Sequence, residues 1–144
     1  MYFPFKGIGY VKQVPGNWII VTCDPEIVRY YTWLCKTWGI QIEAGSRNGP
    51  HISLIKSELP RYTNVSNILG KKVRFEYSNQ LKTNDYHVWV DVRSTDMSSI
   101  RQMVGLPEKP FHSFHLTIGR LKLSIGHVSH EPRPKKKKNA KYIT

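Results

Sequence analysis

The chain has 144 residues, 40% hydrophobic and 12% aromatic, which suits one globular domain and excludes disordered, collagen-like and purely coiled-coil classes. Its 22 Lys and Arg against 10 Asp and Glu give a net charge of +12, and residues 132–144 hold six of those cations and no acid, so half the net charge sits at the carboxy end. A field of that sign attracts the phosphates of nucleotides, nucleic acid or a lipid surface, but specifies no chemistry. Two cysteines, Cys23 and Cys35, are too few for a disulfide framework and read as reduced core thiols. The longest strongly apolar run, Trp18 to Val21, is too short to cross a bilayer, and no charged start precedes a sustained apolar stretch. The expectation is a cytoplasmic monomer with no membrane partner.

In chain order, GIGYVK offers Gly7 and Gly9 without the third glycine of a phosphate loop and without a helix behind them, which predicts a turn. Residues 17–22, NWIIVT, predict a strand, ended by Asp24 as helix cap with Pro25 at the first helical position. Ile27, Val28, Tyr31, Leu34, Cys35 and Trp38 then recur at helical steps, and Gly39 suits the position past the helix end. HISLIK, residues 51–56, predicts a strand after the loop AGSRNGP. KVRFEYS and YHVWVDV alternate apolar with polar residues as half-buried strands, and NQLKTND between them suits a hairpin. A second helix is predicted over 94–104, capped by Ser94 or Thr95, with Met97, Ile100, Met103 and Val104 on one side and Gly105 and Pro107 as the stop. Strand-type sequence returns over 114–123, FHLTIGRLKL. Domain organisation is thus one domain over 1–126, followed by a basic tail or lid over 127–144 that is mobile when free.

The order contains a doubled plan: strand, capped helix, glycine stop, loop, then a strand opening with histidine. His51, Ser53 and Lys56 correspond to His115, Thr117 and Arg120, each pair 64 residues apart, which suggests two pseudo-symmetric lobes. Side chains alternate along a strand, so each histidine shares a face with its hydroxyl while Ile52, Leu54, Leu116 and Ile118 point the other way. If the two strands lie side by side, two imidazoles and two hydroxyls converge. Lys56 and Arg120 sit at an odd offset and leave that face unless the strand bulges or ends. Paired imidazoles suit phosphodiester cleavage, since one takes a proton from the attacking oxygen and the other gives one to the leaving oxygen near neutral pH. Hydroxyls beside them can donate to the non-bridging phosphate oxygens.

HIS and HLT resemble the paired His-x-Ser/Thr motifs of the two-histidine (2H) phosphoesterases, which include the RNA ligase-like cyclic phosphodiesterases, over roughly residues 17–123. The resemblance implies an α+β, bilobal fold with antiparallel sheets, a central cleft and flanking helices. It also implies a metal-independent mechanism without cofactor, with catalytic roles at His51, Ser53, His115 and Thr117. Small size, GIGYVK and the basic tail are most similar to the phage anti-CBASS members of that group, which degrade cyclic di- and trinucleotide immune signals. The expected substrate is then a cyclic oligonucleotide met in the host bacterial cytoplasm, with RNA-end processing on a 2′,3′-cyclic phosphate or short RNA, or nucleotide sequestration without turnover, as the alternatives.

Such a substrate needs aromatic faces for bases and cations for a second phosphate. Tyr10, Phe75, Tyr77 and Trp89 are candidates for the first, Lys12, Lys56, Arg74 and Arg120 for the second, and Glu131 for a base amino group if the tail folds over the site. For any single aromatic, core packing is the commoner role. His87 and His112 read as structural, and a zinc site using His112, His115, His127 and His130 lacks carboxylate or thiolate ligands at suitable spacing.

Overall fold

A computed structural model describes residues 2–43, 47–60 and 65–122; the tail, and with it Glu131 and the lid expectation, lies outside the described residues. The fold is α+β, with eight strands, two α-helices and a 3-10 turn at Val65–Ile68 among the described residues: β1 Phe5–Val14, β2 Trp18–Thr22, α1 Pro25–Thr37, β3 Ile42–Glu43, β4 His51–Ile55, β5 Lys72–Tyr77, β6 Lys82–Thr83, β7 His87–Arg93, α2 Thr95–Met103 and β8 His115–Leu121. All pairings are antiparallel, and the order β3-β8-β4-β2-β1-β5-β7-β6 is closed by a further β7–β8 pairing. Six strands therefore form a circuit, β1–β2–β4–β8–β7–β5, with β3 and β6 as short additions. No helix among the described residues is long and apolar enough to cross a membrane.

Local chemistry explains most of the elements. Asp24 Oδ1 accepts the Glu26 N–H at 2.9 Å and Pro25 follows, so α1 starts there. Ser94 Oγ accepts the Met97 N–H at 3.0 Å and donates to the Arg74 carbonyl at 2.6 Å, which starts α2 and ties it to β5. Gly39 and Gly105, at φ of 79° and 86°, take the left-handed conformation that ends each helix. Trp38 and Met103, expected on the buried helix faces, are exposed, Trp38 as the capping residue just past α1 and Met103 as the last residue of α2.

The turn expected at Gly7 and Gly9 is instead the interior of β1. A Cβ at Gly9 would lie 1.8 Å from the Thr22 carbonyl oxygen, and one at Gly7 would lie 2.5 Å from the Phe75 ring. Glycine here permits close approach of β1 to its neighbours, not chain reversal. β1 pairs with β5 over Phe5–Tyr10 and with β2 over Val11–Val14, so it carries the chain from one part of the circuit to the other.

The core gathers Val11, Ile19, Val21, Tyr31, Cys35, Ile52, Leu54, Val73, Phe75, Val88, Val90, Met97, Leu116 and Ile118. Cys23 and Cys35 are free and buried, and burial pushes the Cys23 thiol up to about 12. Ile52 and Leu116 face each other across β4 and β8, both fully buried, each contributing about 2 kcal/mol by removal from water. That apolar pair fixes the register of everything on the opposite face.

Candidate active site

With Ile52 opposite Leu116, the antiparallel register sets His51 across from Thr117 and Ser53 across from His115. The outer strands continue the rows: Thr22 pairs with His51 and Ile20 with Ser53 on one side, Trp89 with Thr117 and Asp91 with His115 on the other. Four strands thus present a grid of two rows, Thr22–His51–Thr117–Trp89 and Ile20–Ser53–His115–Asp91. The histidines occupy one diagonal of the central square and the hydroxyls the other. Diagonal neighbours in such a pair are about 7 Å apart, a span that admits a phosphate between two imidazoles.

A break in register follows in each half. Ile19 pairs with Ile55 but Ile20 with Ser53, and Val88 pairs with Gly119 but Trp89 with Thr117, so Leu54 and Ile118 are the extra residues of two bulges 64 positions apart. Both members of Leu54–Ile55 and of Ile118–Gly119 are buried in succession, and the phase then reverses. Lys56 and Arg120 consequently return to the histidine face. Lys56 Nζ lies 4.3 Å from the centre of the Trp18 ring, and Arg120 pairs across strands with His87. The first bulge is held from outside its strand: buried Arg101 of α2 donates to the Leu54 carbonyl at 2.8 Å and grips both carboxylate oxygens of Glu58 at 2.6 and 2.8 Å.

Each imidazole is pinned alike. His51 Nδ1 donates to the Gly49 carbonyl at 2.7 Å and His115 Nδ1 to the Ser113 carbonyl at 3.1 Å, both two residues upstream. A carbonyl only accepts, so the hydrogen stays on Nδ1 and Nε2 is the nitrogen that exchanges a proton. Burial pushes both imidazoles below the ordinary histidine range; the carbonyl bonds pull them back up, and the Lys56 ammonium pushes both down. His87 is pushed down by burial and by Arg120, so three imidazoles and two cations share one face. Burial also lowers the Lys56 ammonium.

Indoles brace the grid. Trp18 Nε1 donates to Ser53 Oγ at 2.9 Å, leaving that hydroxyl's hydrogen for another acceptor, and its ring meets His51 edge-on at 5.1 Å. Trp89 meets His115 at 6.4 Å and donates Nε1 to Asp91 Oδ1 at 3.3 Å, while Lys82 Nζ approaches Asp91 Oδ2 at 2.6 Å. Tyr10 and Lys12 stand exposed on β1 at the margin of this face, Lys12 directly across from Ile20 and the Tyr10 N–H bonded to Thr22 Oγ1 at 3.2 Å.

Three expected binding residues are elsewhere. Phe75 and Tyr77 lie on the core side of β5, Phe75 only 2% exposed, because their alternation faces the apolar interior and not the histidines. Arg74 projects on β5 beside the start of α2, its N–H bonded to Asp96 at 2.9 Å. All three line a separate cleft of about 1410 Å³ between the amino ends of α1 and α2, to which His51, Ser53, His115 and Thr117 contribute nothing. Conversely, Trp18, Thr22, Lys82, His87 and Asp91 join the site without having been singled out for it. The signal for Trp18, Thr22, His87 and Asp91 was the alternation of β2 and β7, legible only once the strands opposite were known, and Lys82 enters from β6 through its ion pair with Asp91. Comparison of the chain with protein-family models, curated proteins and solved structures returns no match.

Proposed function

We propose that this chain is a metal-independent phosphodiesterase of the two-histidine type that hydrolyses 3′–5′ linkages in cyclic di- or trinucleotides, as the phage enzymes that block CBASS immunity do. The observation that carries the reading is the central square: two Nδ1-pinned imidazoles on one diagonal and two hydroxyls on the other, on adjacent antiparallel strands. Phosphodiester hydrolysis needs a proton acceptor on one side of phosphorus and a proton donor on the other, and two histidines near neutrality supply both. Ser53, oriented by the Trp18 indole, and Thr117 are donors for the non-bridging oxygens, where charge accumulates in the transition state.

The margins of the grid support a substrate with more than one phosphate and more than one base. Lys56, Arg120 and Lys12 supply positive charge, and Trp18, Trp89 and Tyr10 supply ring faces or edges around the same square. The test is product formation from 3′,3′-cyclic dinucleotides, a cyclic trinucleotide and an RNA ending in a 2′,3′-cyclic phosphate, in excess chelator, comparing wild type with the His51→Ala, His115→Ala double variant. Cleavage of the cyclic oligonucleotides that survives chelator and vanishes in the variant is the expected result. Cleavage of the RNA end alone moves the enzyme to RNA processing, and tight binding without product makes the protein a nucleotide-sequestering binder.

A further inference from the structure

The two histidines are equivalent in backbone register but not in their outer neighbours. Thr22 flanks His51, and at the corresponding position Asp91 flanks His115. Asp91 is the one carboxylate in the eight-residue grid, and it is held in place by the Trp89 indole and the Lys82 ammonium.

We infer that Asp91 is a positioning residue that makes His115 the imidazole entering the reaction protonated, and so the donor to the leaving oxygen, with His51 as the base. The inference rests on the phosphodiesterase reading above and assigns the two roles that the motif alone leaves interchangeable. The protons balance as follows: His51 Nε2 takes a proton from water as the water oxygen bonds phosphorus, the P–O bond to the sugar breaks, and His115 Nε2 passes its proton to that oxygen. The products are a phosphate monoester and an alcohol. His51 then returns its proton to bulk water and His115 takes one up, restoring the starting state.

The groups around the two rings are not the same. His115 faces Asp91 and His87 from β7, Lys82 of β6 through Asp91, Lys56 and His51 from β4, and Arg120 and His112 from its own segment. His51 faces Lys56 on its own strand, His115 from β8, Thr22 from β2, and Lys12 and Tyr10 farther out on β1. Lys56 acts on both rings in the same sense, so it cannot rank them. Two groups act on His115 and not on His51, in opposite senses. His112, exposed in the turn before β8, disfavours its charged form, and Asp91, fixed in the grid beside the ring, favours it. The assignment rests on the carboxylate because it is the one held in the grid.

The experiment is an NMR titration of both imidazoles in the free protein, with the pH dependence of kcat/KM on a cyclic dinucleotide, for wild type, Asp91→Asn and Lys82→Gln. In Asp91→Asn the His115 midpoint falls by about half a pH unit and the alkaline limb of kcat/KM falls with it, while His51 and the acid limb stay in place. In Lys82→Gln, which strips the compensating cation, both features of His115 move the opposite way. This second variant keeps the test decisive where the first disturbs folding. An acid limb that moves while the alkaline limb stays would reverse the roles and overturn the inference, as would a His115 midpoint indifferent to both variants. If no phosphodiester turns over, the phosphodiesterase reading falls by itself, and the His115 midpoint still decides whether Asp91 couples to it.

Discussion

The half built from β2, α1 and β4 and the half built from β7, α2 and β8 share more than a motif. Cap, glycine stop, histidine, hydroxyl, bulge and cation recur in the same order, and each Nδ1 finds a carbonyl two residues back. They differ in what surrounds that frame. The first half has Ile55 after its bulge, the second has Gly119, where a Cβ would lie 2.7 Å from the Glu43 carbonyl because β3 crosses there. The first bulge is clamped by Arg101 from the other half's helix, and the second histidine has a carboxylate beside it. The repeated frame supplies paired groups, and the departures from symmetry give the proposed active site two different ends.

The largest expected effect tests what the halves share. His51→Ala and His115→Ala each lower kcat on a cyclic dinucleotide by about two to four orders of magnitude, the usual scale for a lost general acid or base, with an unchanged melting profile. Loss in only one variant would mean that a single half is catalytic and the repeat is a folding feature.

A second prediction exploits the clamp that Arg101 sets on the first bulge. Glu58→Ala leaves the buried Arg101 guanidinium without its counter-ion and costs about 3–5 kcal/mol of stability in denaturant unfolding. The same pair gives stability a pH dependence. Hydrogen bonding from Arg101 holds the Glu58 carboxyl below its ordinary value, so the contribution is fully present above the unfolded-state pKa and is lost as pH falls through the folded one. Glu58→Gln flattens that acid-side loss, which a series of melts between pH 6 and about 3 detects.

The shared frame was legible in the sequence because its signals are local. Asp24–Pro25 and Ser94 announce helix starts within three residues, and the alternation of YHVWVDV and the two His-x-Ser/Thr triplets defines strand faces directly. What escaped depends on partners distant in the chain. Gly7 and Gly9 look like turn residues until β2 and Phe75 crowd them. Phe75 and Tyr77 alternate as clearly as His87, Trp89 and Asp91, but alternation does not say which face meets the core. A bulge has no composition of its own here, so the side on which Lys56 emerges follows only from its pairing with β2.

A smaller effect separates the halves at their hydroxyls. Ser53 takes the Trp18 indole N–H, whereas the second indole, Trp89, donates to Asp91. Trp18→Phe keeps the ring against His51 and removes only the donor, about 1 kcal/mol for a neutral hydrogen bond, so kcat falls about fivefold. Ser53→Ala made on top of Trp18→Phe then costs less than Ser53→Ala in the wild-type background, as expected when two changes share one interaction. Strict additivity would detach Trp18 from the hydroxyl.

The smallest prediction concerns Lys56, which the first bulge returns to the histidine face. Its ammonium sits over Trp18 and depresses both imidazoles, so Lys56→Gln raises both. A raised base is protonated up to a higher pH, which moves the acid limb of kcat/KM upward. A raised acid keeps its proton to a higher pH, which moves the alkaline limb the same way. The whole profile of Lys56→Gln therefore slides to higher pH by about half a unit without changing width. Asp91→Asn, by contrast, moves one limb and narrows it. A Lys56→Gln profile that changed width would show that the ammonium serves one histidine and not the pair, and that this feature of the repeat has also become asymmetric.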